Sequence, residues 1–403
     1  MTDMYDVLIV GGGPVGGCAG TLLTRASLRV CILEPKRPEV PPIGTPLEAR
    51  VVAISRASER ILRSAGAWDR VIGSRVEAYE RMRIWHESTS PANALVFDAA
   101  EVGEPNLGYI IENRLLQAAL LDEFTAAGGE LIAADFRDLS VAADAVTVET
   151  SAGMLSAKLV IGADGARSAV RESLGLTASV GDFNETAIVA TIATQHPHEK
   201  TAWQRFMRKG TLAFLPLADG TSSIVWSADN DLAANLVAMS AAEFETELTR
   251  ASDVALGSTR LVSERMTFPL KRVSAHRYVT QRCALIGDAA HVVHPLAGQG
   301  VNLGLLDAAT LAQLVLEARS EREDPGALRV LRQYERWRKS EVAFMSTAID
   351  AFDRFLAHGA GPLSRLAQHG LGWVNRSQQI KRLFVNRALG IAGELPRAAR
   401  PTP

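Results

Sequence analysis

The 403 residues are too many for one minimal core and predict two or three packed units. With 43 basic against 45 acidic side chains the net charge is −2, which excludes bulk attraction to nucleic acid and leaves small-molecule chemistry as the leading class. Cys18, Cys31 and Cys283 stand far apart in apolar runs without C-x-x-C or metal-ligand spacing, so they read as reduced core thiols of a cytoplasmic protein, and no metal is expected.

Residues 7–24, VLIVGGGPVGGCAGTLLT, are uncharged and nearly long enough to span a membrane, but six glycines and Pro14 punctuate them and the flank MTDMYD is acidic. A buried strand, a tight turn and a helix account for them better. Gly11, Gly13 and Gly16 then form a G-x-G-x-x-G turn, with Gly20 one helical turn on. The first glycine allows the turn, the second lets a pyrophosphate approach bare backbone, and the third lets helix and strand pack. The helix N-terminus adds a partial positive charge. LRVCILE (28–34) follows as a second apolar strand, ending in Glu34 where an acid accepts hydrogen bonds from an adenosine ribose.

Further along, YERMRIWHES and ALVFDA (79–98) read as strands, and KLVIGADGARSAVR (158–171) as a strand that stops at Asp164 and Gly165 before a basic helix. The middle of the chain contains TLAFLPLADGTSSIVWS, two apolar segments flanking Asp219-Gly220, a hairpin signal within a mostly antiparallel sheet. Trp203, Phe206, Phe214 and Trp226 are candidate wall residues of a substrate pocket, and core packing explains each equally well. CALIG (283–287) is again a strand with Asp288 at its end. An acid at Asp164 or Asp288 holds a ribityl hydroxyl or a nearby amide, or simply caps a helix. Beyond residue 345 the chain reads as helical, its basic stretch 365–393 either resting on an anionic membrane surface or packing on the body, and ELPRAARPTP (394–403) reads as disordered.

Those glycine and acid segments, together with EARVVAIS (48–55), LGYIIENRLLQ (107–117), TAWQRF (201–206), HPLAGQGVNLGLLD (294–307) and YERWRKSE (334–341), resemble the FAD-dependent aromatic hydroxylases. These are single-component flavoprotein monooxygenases. The resemblance covers nearly the whole chain and points to the ubiquinone-biosynthesis branch. It implies bound FAD, transient NAD(P)H and O2, and a flavin C4a-hydroperoxide attacked by a hydrophobic, polyprenylated phenol. It also implies an α/β fold in which a Rossmann-like FAD-binding domain (1–78, 101–180, 269–345) is interleaved with a mostly antiparallel β-sheet substrate domain (79–100, 181–268), followed by a C-terminal helical segment (346–403).

Carried onto this sequence, the family pattern places Arg50 and Arg114 near the flavin nucleotide, with Gln117 on the same helix face as Arg114. Gly298 and Gly300 let the backbone around Val301 and Asn302 reach the flavin ring, and the Pro295 carbonyl faces the substrate hydroxyl. No side-chain acid or base is assigned. His291 and His294 read as structural histidines bonded to local backbone rather than as acid–base groups. Two other readings stay open: a flavin monooxygenase for a different aromatic, and a flavin-binding accessory protein of a quinone-making assembly. The expected location is cytoplasmic or peripheral at the inner membrane face, without a nucleic-acid partner.

Overall fold

A computed structural model describes residues 4–40, 42, 44–72, 75–294, 298–356, 390 and 393–401. Its first sheet is built around parallel strands: β1 (Tyr5–Val10) lies between β2 (Val30–Leu33) and β11 (Gly153–Gly162), with β8 (Glu130–Ile132) beyond β2 and β19 (Cys283–Leu285) beyond β11. β18 (Val279–Thr280) closes one edge, and β9 (Phe136–Val141) and β10 (Val146–Thr150) extend β11 as an antiparallel flap. The central strands are sealed on both faces, which is why they read as unbroken apolar runs. Cys18, Cys31 and Cys283 lie inside this core, where burial pushes each thiol up to about 12, as suits inert core residues.

Helices α1 (Pro14–Arg25), α4 (Asn113–Ala126) and α8 (Gln299–Ser320) cover the sheet. α8 is apolar and long enough to cross a membrane, yet most of it is buried inside the protein. α2 (Arg56–Ser64) and α3 (Trp68–Val71) follow β3 (Val51–Ser55), which joins β4 (Val76–Tyr79) and β7 (Gly108–Glu112) in a three-stranded sheet. The segment after Gly165 forms the short helix α5 (Ala169–Ser173).

The second sheet has nine strands: β20 (His291–Val292), β17 (Met266–Ala275), β12 (Ala178–Thr194), β15 (Ser222–Asp229), β14 (Gly210–Pro216), β13 (Thr201–Met207), β5 (Arg81–His86) and β6 (Leu95–Asp98) in order, with β16 (Thr259–Leu261) paired to β12. All its pairings are antiparallel except β5 with β13. The hairpin at Asp219-Gly220 joins β14 to β15, with Gly220 at φ +84°. One face packs on α6 (Asn230–Ala238) and α7 (Ala241–Ala251). β12 begins at 178 and β17 runs to 275, so this sheet overruns the expected limits of 181 and 268. The β12–β17 ladder simply continues through a bulge between Asp182 and Thr186.

The chain end agrees with expectation only in part. α9 (Leu328–Leu356) carries the fold past residue 345, and the basic stretch 365–393 falls almost entirely outside the described residues. Residues 394–401, expected to be disordered, dock between α2 and α8: Ala399 is fully buried, Arg397 N donates to Gln313 (2.8 Å), and Trp337 Nε1 donates to the Glu394 carbonyl (3.1 Å). Isolated anchors of this kind leave no periodic pattern to read. Ala399→Asp is therefore expected to lower the midpoint of thermal unfolding by several degrees or more, because the carboxylate would be buried unpaired. Exposed Arg400→Ala should leave it nearly unchanged.

Candidate active site and cofactor cleft

The sequence-predicted acids converge because each follows the carboxyl end of a neighbouring parallel strand: Glu34 after β2, Asp164 after β11, Asp288 after β19. Between them lies the glycine turn. Gly11 has φ +102°, and a Cβ there would sit 2.4 Å from the Ala163 carbonyl oxygen; one on Gly16 would sit 2.0 Å from the Gly11 oxygen. A Cβ on Gly13 would meet nothing within 4 Å. Thus Gly11 and Gly16 serve close packing, while Gly13 leaves a cradle open. α1 starts with Gly13 as N-cap and Pro14 in its first turn, without side-chain cap or acid, so its first amides are left for an anion.

Around this turn Glu34 accepts from Gly12 N (2.8 Å) and Gln117 Nε2 donates to the Gly12 oxygen (3.1 Å). A cavity of about 360 Å³ brings together Gly11, Gly13, Glu34 and Asp164 with Phe136 and Arg167, two residues the sequence reading missed. Asp164 accepts from Val170 N in α5 (3.1 Å), while its other oxygen is buried without a donor. The residue therefore caps a helix and still presents an orphan acceptor, as a nucleotide hydroxyl requires. Geometry, cradle and orphan together suit the nucleotide half of FAD.

Asp288 sits in the turn that follows β19. Its surface is open to solvent, yet protein surrounds it on most sides, and this burial pushes its carboxyl up against the opposing pull of His291 and Arg50. Arg50 also lies over the Phe268 ring (5.8 Å), joining the loop before β3 to β17. Arg114 is on α4 one turn from Gln117, but it is half exposed and ion-paired with Glu48, where the family pattern implied a phosphate. No local signal could have revealed that partner.

α8 opens at Gly298 (φ +62°) without a side-chain cap or an acid in its first turn, so the amides near Gly300 and Val301 are unclaimed by capping side chains. A Cβ on Gly300 would meet nothing within 4 Å, a second cradle. The Asn302 side chain has a different task from ligand contact: it accepts from Ser55 N (2.9 Å) and donates to the Ala53 (2.8 Å) and Gly298 (3.0 Å) oxygens, stapling the helix start to β3. Pro295 lies outside the described residues.

Both histidines are buried, and their ring nitrogens meet distant carboxylates rather than the local backbone expected. His291 Nε2 lies 2.5 Å from Asp307, which also accepts from Gly287 N (3.0 Å) and Arg338 Nε (2.7 Å). His294 Nε2 lies 2.9 Å from Glu185, and its Nδ1 is buried without a partner. These contacts span 16 to 109 positions of chain, beyond any local reading.

Strand register decides between pocket wall and core packing for the four aromatic residues. Trp203, Phe214 and Trp226 project to the sheet face sealed by α6 and α7, where they join Leu236, Phe244 and Leu248 in one core. Phe206 alone of the four lies on the opposite face, packed with Val293 and Leu303 of the cofactor unit. The period-two alternation that decides this depends on where each strand starts.

Asp288→Asn should separate stability from function. With its pKa raised in the fold, the ionised carboxylate opposes folding as pH rises, so the variant apoprotein should melt slightly higher at neutral pH while retaining less flavin on gel filtration. Asp307 has the opposite sign: burial, the largest effect, raises it, but His291 and Arg338 outweigh that and hold it below the usual carboxylate range. Its stabilisation is present above about pH 4 and is lost as pH falls through the lower folded value. Thermal melts from neutral pH into that acid window should therefore fall for the unaltered protein, while Asp307→Asn should melt lower at neutral pH and vary less.

The family model described as an FAD binding domain matches residues 4–345. The chain is 36% identical to the ubiquinone hydroxylase UbiL of Rhodospirillum rubrum, covering 99% of this chain and 93% of that one. It is 34% identical to the 3-demethoxyubiquinol 3-hydroxylase of Escherichia coli, covering 96% and 98%. The solved structure of p-nitrophenol 4-monooxygenase PnpA from Pseudomonas putida is similar in fold, with a TM-score of 0.78 at 21% identity over 96% of this chain and 99% of that one. With the cleft inside the matched span and relatives this similar along nearly their whole length, the chain belongs to the FAD-dependent hydroxylase family that includes the ubiquinone hydroxylases.

Proposed function

We propose that the chain is a monooxygenase that hydroxylates the aromatic ring of a hydrophobic, prenylated phenol on the route to ubiquinone, with FAD, NAD(P)H and O2. The observation that carries this reading is the cofactor cleft itself: open glycine positions at the starts of α1 and α8, with Glu34, Asp164 and Asp288 following the ends of neighbouring strands. Two relatives whose names specify ubiquinone or demethoxyubiquinol hydroxylation support the choice of substrate class. A hydrophobic substrate is also compatible with peripheral membrane contact.

In this reading FAD, when bound, supplies the chemistry that activates dioxygen. The α1 N-terminus and the Gly13 cradle take the pyrophosphate, Glu34 the adenosine ribose, and Asp164 and Asp288 the hydroxyls of the linking chain. Arg50, stacked on Phe268 beside Asp288, carries positive charge to the same side of the cleft. Arg114, released from Glu48, remains a candidate for an anionic group. Amides at Gly300, Val301 and Asn302 face the flavin ring, where they offset negative charge at its pyrimidine edge. The Pro295 carbonyl is retained as the group that orients the substrate hydroxyl. The sheet face opposite excludes water and holds the phenol still, which is most of what the protein must contribute.

The test is NAD(P)H oxidation by the flavin-loaded protein, expected to rise when a prenylated phenol is added. A rate indifferent to every phenol tried would contradict the proposal. Gly300→Val gives an independent readout. Because its Cβ meets no atom of the described residues, the variant apoprotein should melt within a few degrees of the unaltered protein, yet its visible flavin bands should be several-fold weaker or its reduction disabled.

A further inference from the structure

One buried ionisable pair has no part in holding the cofactor: His294 and Glu185 meet where the two units join. His294 follows β20 on the segment that leads to α8, and Glu185 belongs to β12 of the nine-stranded sheet. Their side chains are 3% and 9% exposed, with Nε2 2.9 Å from a carboxylate oxygen. A bulge in β12 makes the meeting possible, because its register against β17 shifts between Asp182 and Thr186 and residues 183–185 leave that ladder. Phe183, in the same bulge, sets its ring 4.7 Å from the imidazole and nearly perpendicular to it, and Arg272 of β17 lies over the Phe183 ring (5.0 Å).

Joining the units requires no such pair. Beside it Phe206 of the sheet packs with Val293 and Leu303, and buried ionisable groups hold two surfaces together no better, in general, than apolar side chains of the same volume. The pair has a more specific chemistry. A carboxylate offers lone pairs only, so the Nε2 that faces it carries the hydrogen, and in a neutral imidazole Nδ1 is then left as an acceptor. That nitrogen is buried without a partner among the described residues. The neighbouring charges are engaged elsewhere: Arg272 over Phe183, and Asp229, which pairs with Glu185 across β15, with the Leu232 amide at the start of α6 (2.7 Å). An acid, an imidazole oriented by it and an unclaimed basic nitrogen, all screened from bulk water, are the parts of a general base.

We propose that His294 Nδ1 takes the proton of the substrate's phenolic hydroxyl, directly or through one water, with Glu185 stabilising the imidazolium that forms. The proposal rests on the phenol reading above, in which Pro295, the next residue of the chain, orients the same hydroxyl. The O–H bond breaks, its electron pair stays on the oxygen as phenolate, and the proton goes to Nδ1. A phenolate feeds more electron density into the ring than a phenol does, and a ring carbon must take up the oxygen. When that carbon has lost its own proton and the ring is aromatic again, Nδ1 returns the borrowed proton to the phenolate, leaving the pair as it began. His294 thus serves the chemistry as well as the packing to which the sequence alone assigned it.

Two phenols separate these roles: a prenylated phenol, and a ring-fluorinated analogue of similar shape that is already ionised at the assay pH. Hydroxylated product is measured from each with the flavin-loaded protein, alongside melting midpoint and flavin content. His294→Gln keeps a hydrogen-bonding partner for Glu185 but has no basic nitrogen, so product from the ordinary phenol should fall about 100-fold while the ionised analogue loses little. Glu185→Gln keeps the shape and removes the charge. It should show the same selective loss to a smaller extent, and it carries the comparison if His294→Gln does not fold. Equal losses on both phenols, or none on either, would refute the base and leave the hydroxylase reading intact. If the unaltered protein oxygenates no phenol, the substrate reading falls and the base with it.

Discussion

The carboxylate of Asp307 is the constraint on which the rest of the site depends. It is fully buried, and a charge there is tolerable only because three donors converge on it: the Gly287 amide, His291 and Arg338. Each donor comes from a different part of the fold. Gly287 belongs to the turn that presents Asp288, His291 to β20, and Arg338 to α9, while Asp307 itself rides on α8. One residue thereby fixes the turn at the end of β19 relative to the helix whose first turn closes the cleft. Arg338 also donates to the Leu303 oxygen, and Tyr334 to that of Leu285, so α9 braces both pieces from behind.

With that frame fixed, the cleft can be built largely from absence of side chain. Gly11 and Gly16 bring backbone into contact that a methyl group would prevent, and Gly304 lets α8 lie against Val15 of α1, where a Cβ would come within 2.5 Å. Gly13 and Gly300 face open space. The same economy leaves its mark on two acids: Asp164 has a buried oxygen without a donor among the described residues, and burial raises the pKa of Asp288. Such groups cost stability without a ligand and reward one that supplies hydrogen-bond donors, which is the usual relation between a functional site and its fold.

What the sequence disclosed and what it withheld divide along a physical line. Gly11, Gly13, Gly16, Glu34, Asp164 and Asp288 were legible because their placement follows from a strand ending and a turn beginning, events local to a few residues. The side on which Trp203, Phe214 and Trp226 point was not, because it is set by register across neighbouring strands. Nor were the pairings of Arg114 with Glu48, His294 with Glu185 or Arg338 with Asp307, whose partners lie up to 109 positions away. Docking of residues 394–401 escaped for a related reason: it hangs on Ala399, three backbone contacts and an ion pair of Arg397 with Glu317, none of which forms a pattern.

The central claim is that this frame serves oxygen transfer to a phenol rather than mere flavin binding. The most direct test is to run the flavin-loaded protein with NAD(P)H and a prenylated phenol under isotopically heavy dioxygen, and to weigh the product. The account predicts a phenol carrying one heavy oxygen atom for each NAD(P)H consumed. Return of the phenol unchanged, with hydrogen peroxide accounting for all the NAD(P)H oxidised, would contradict it.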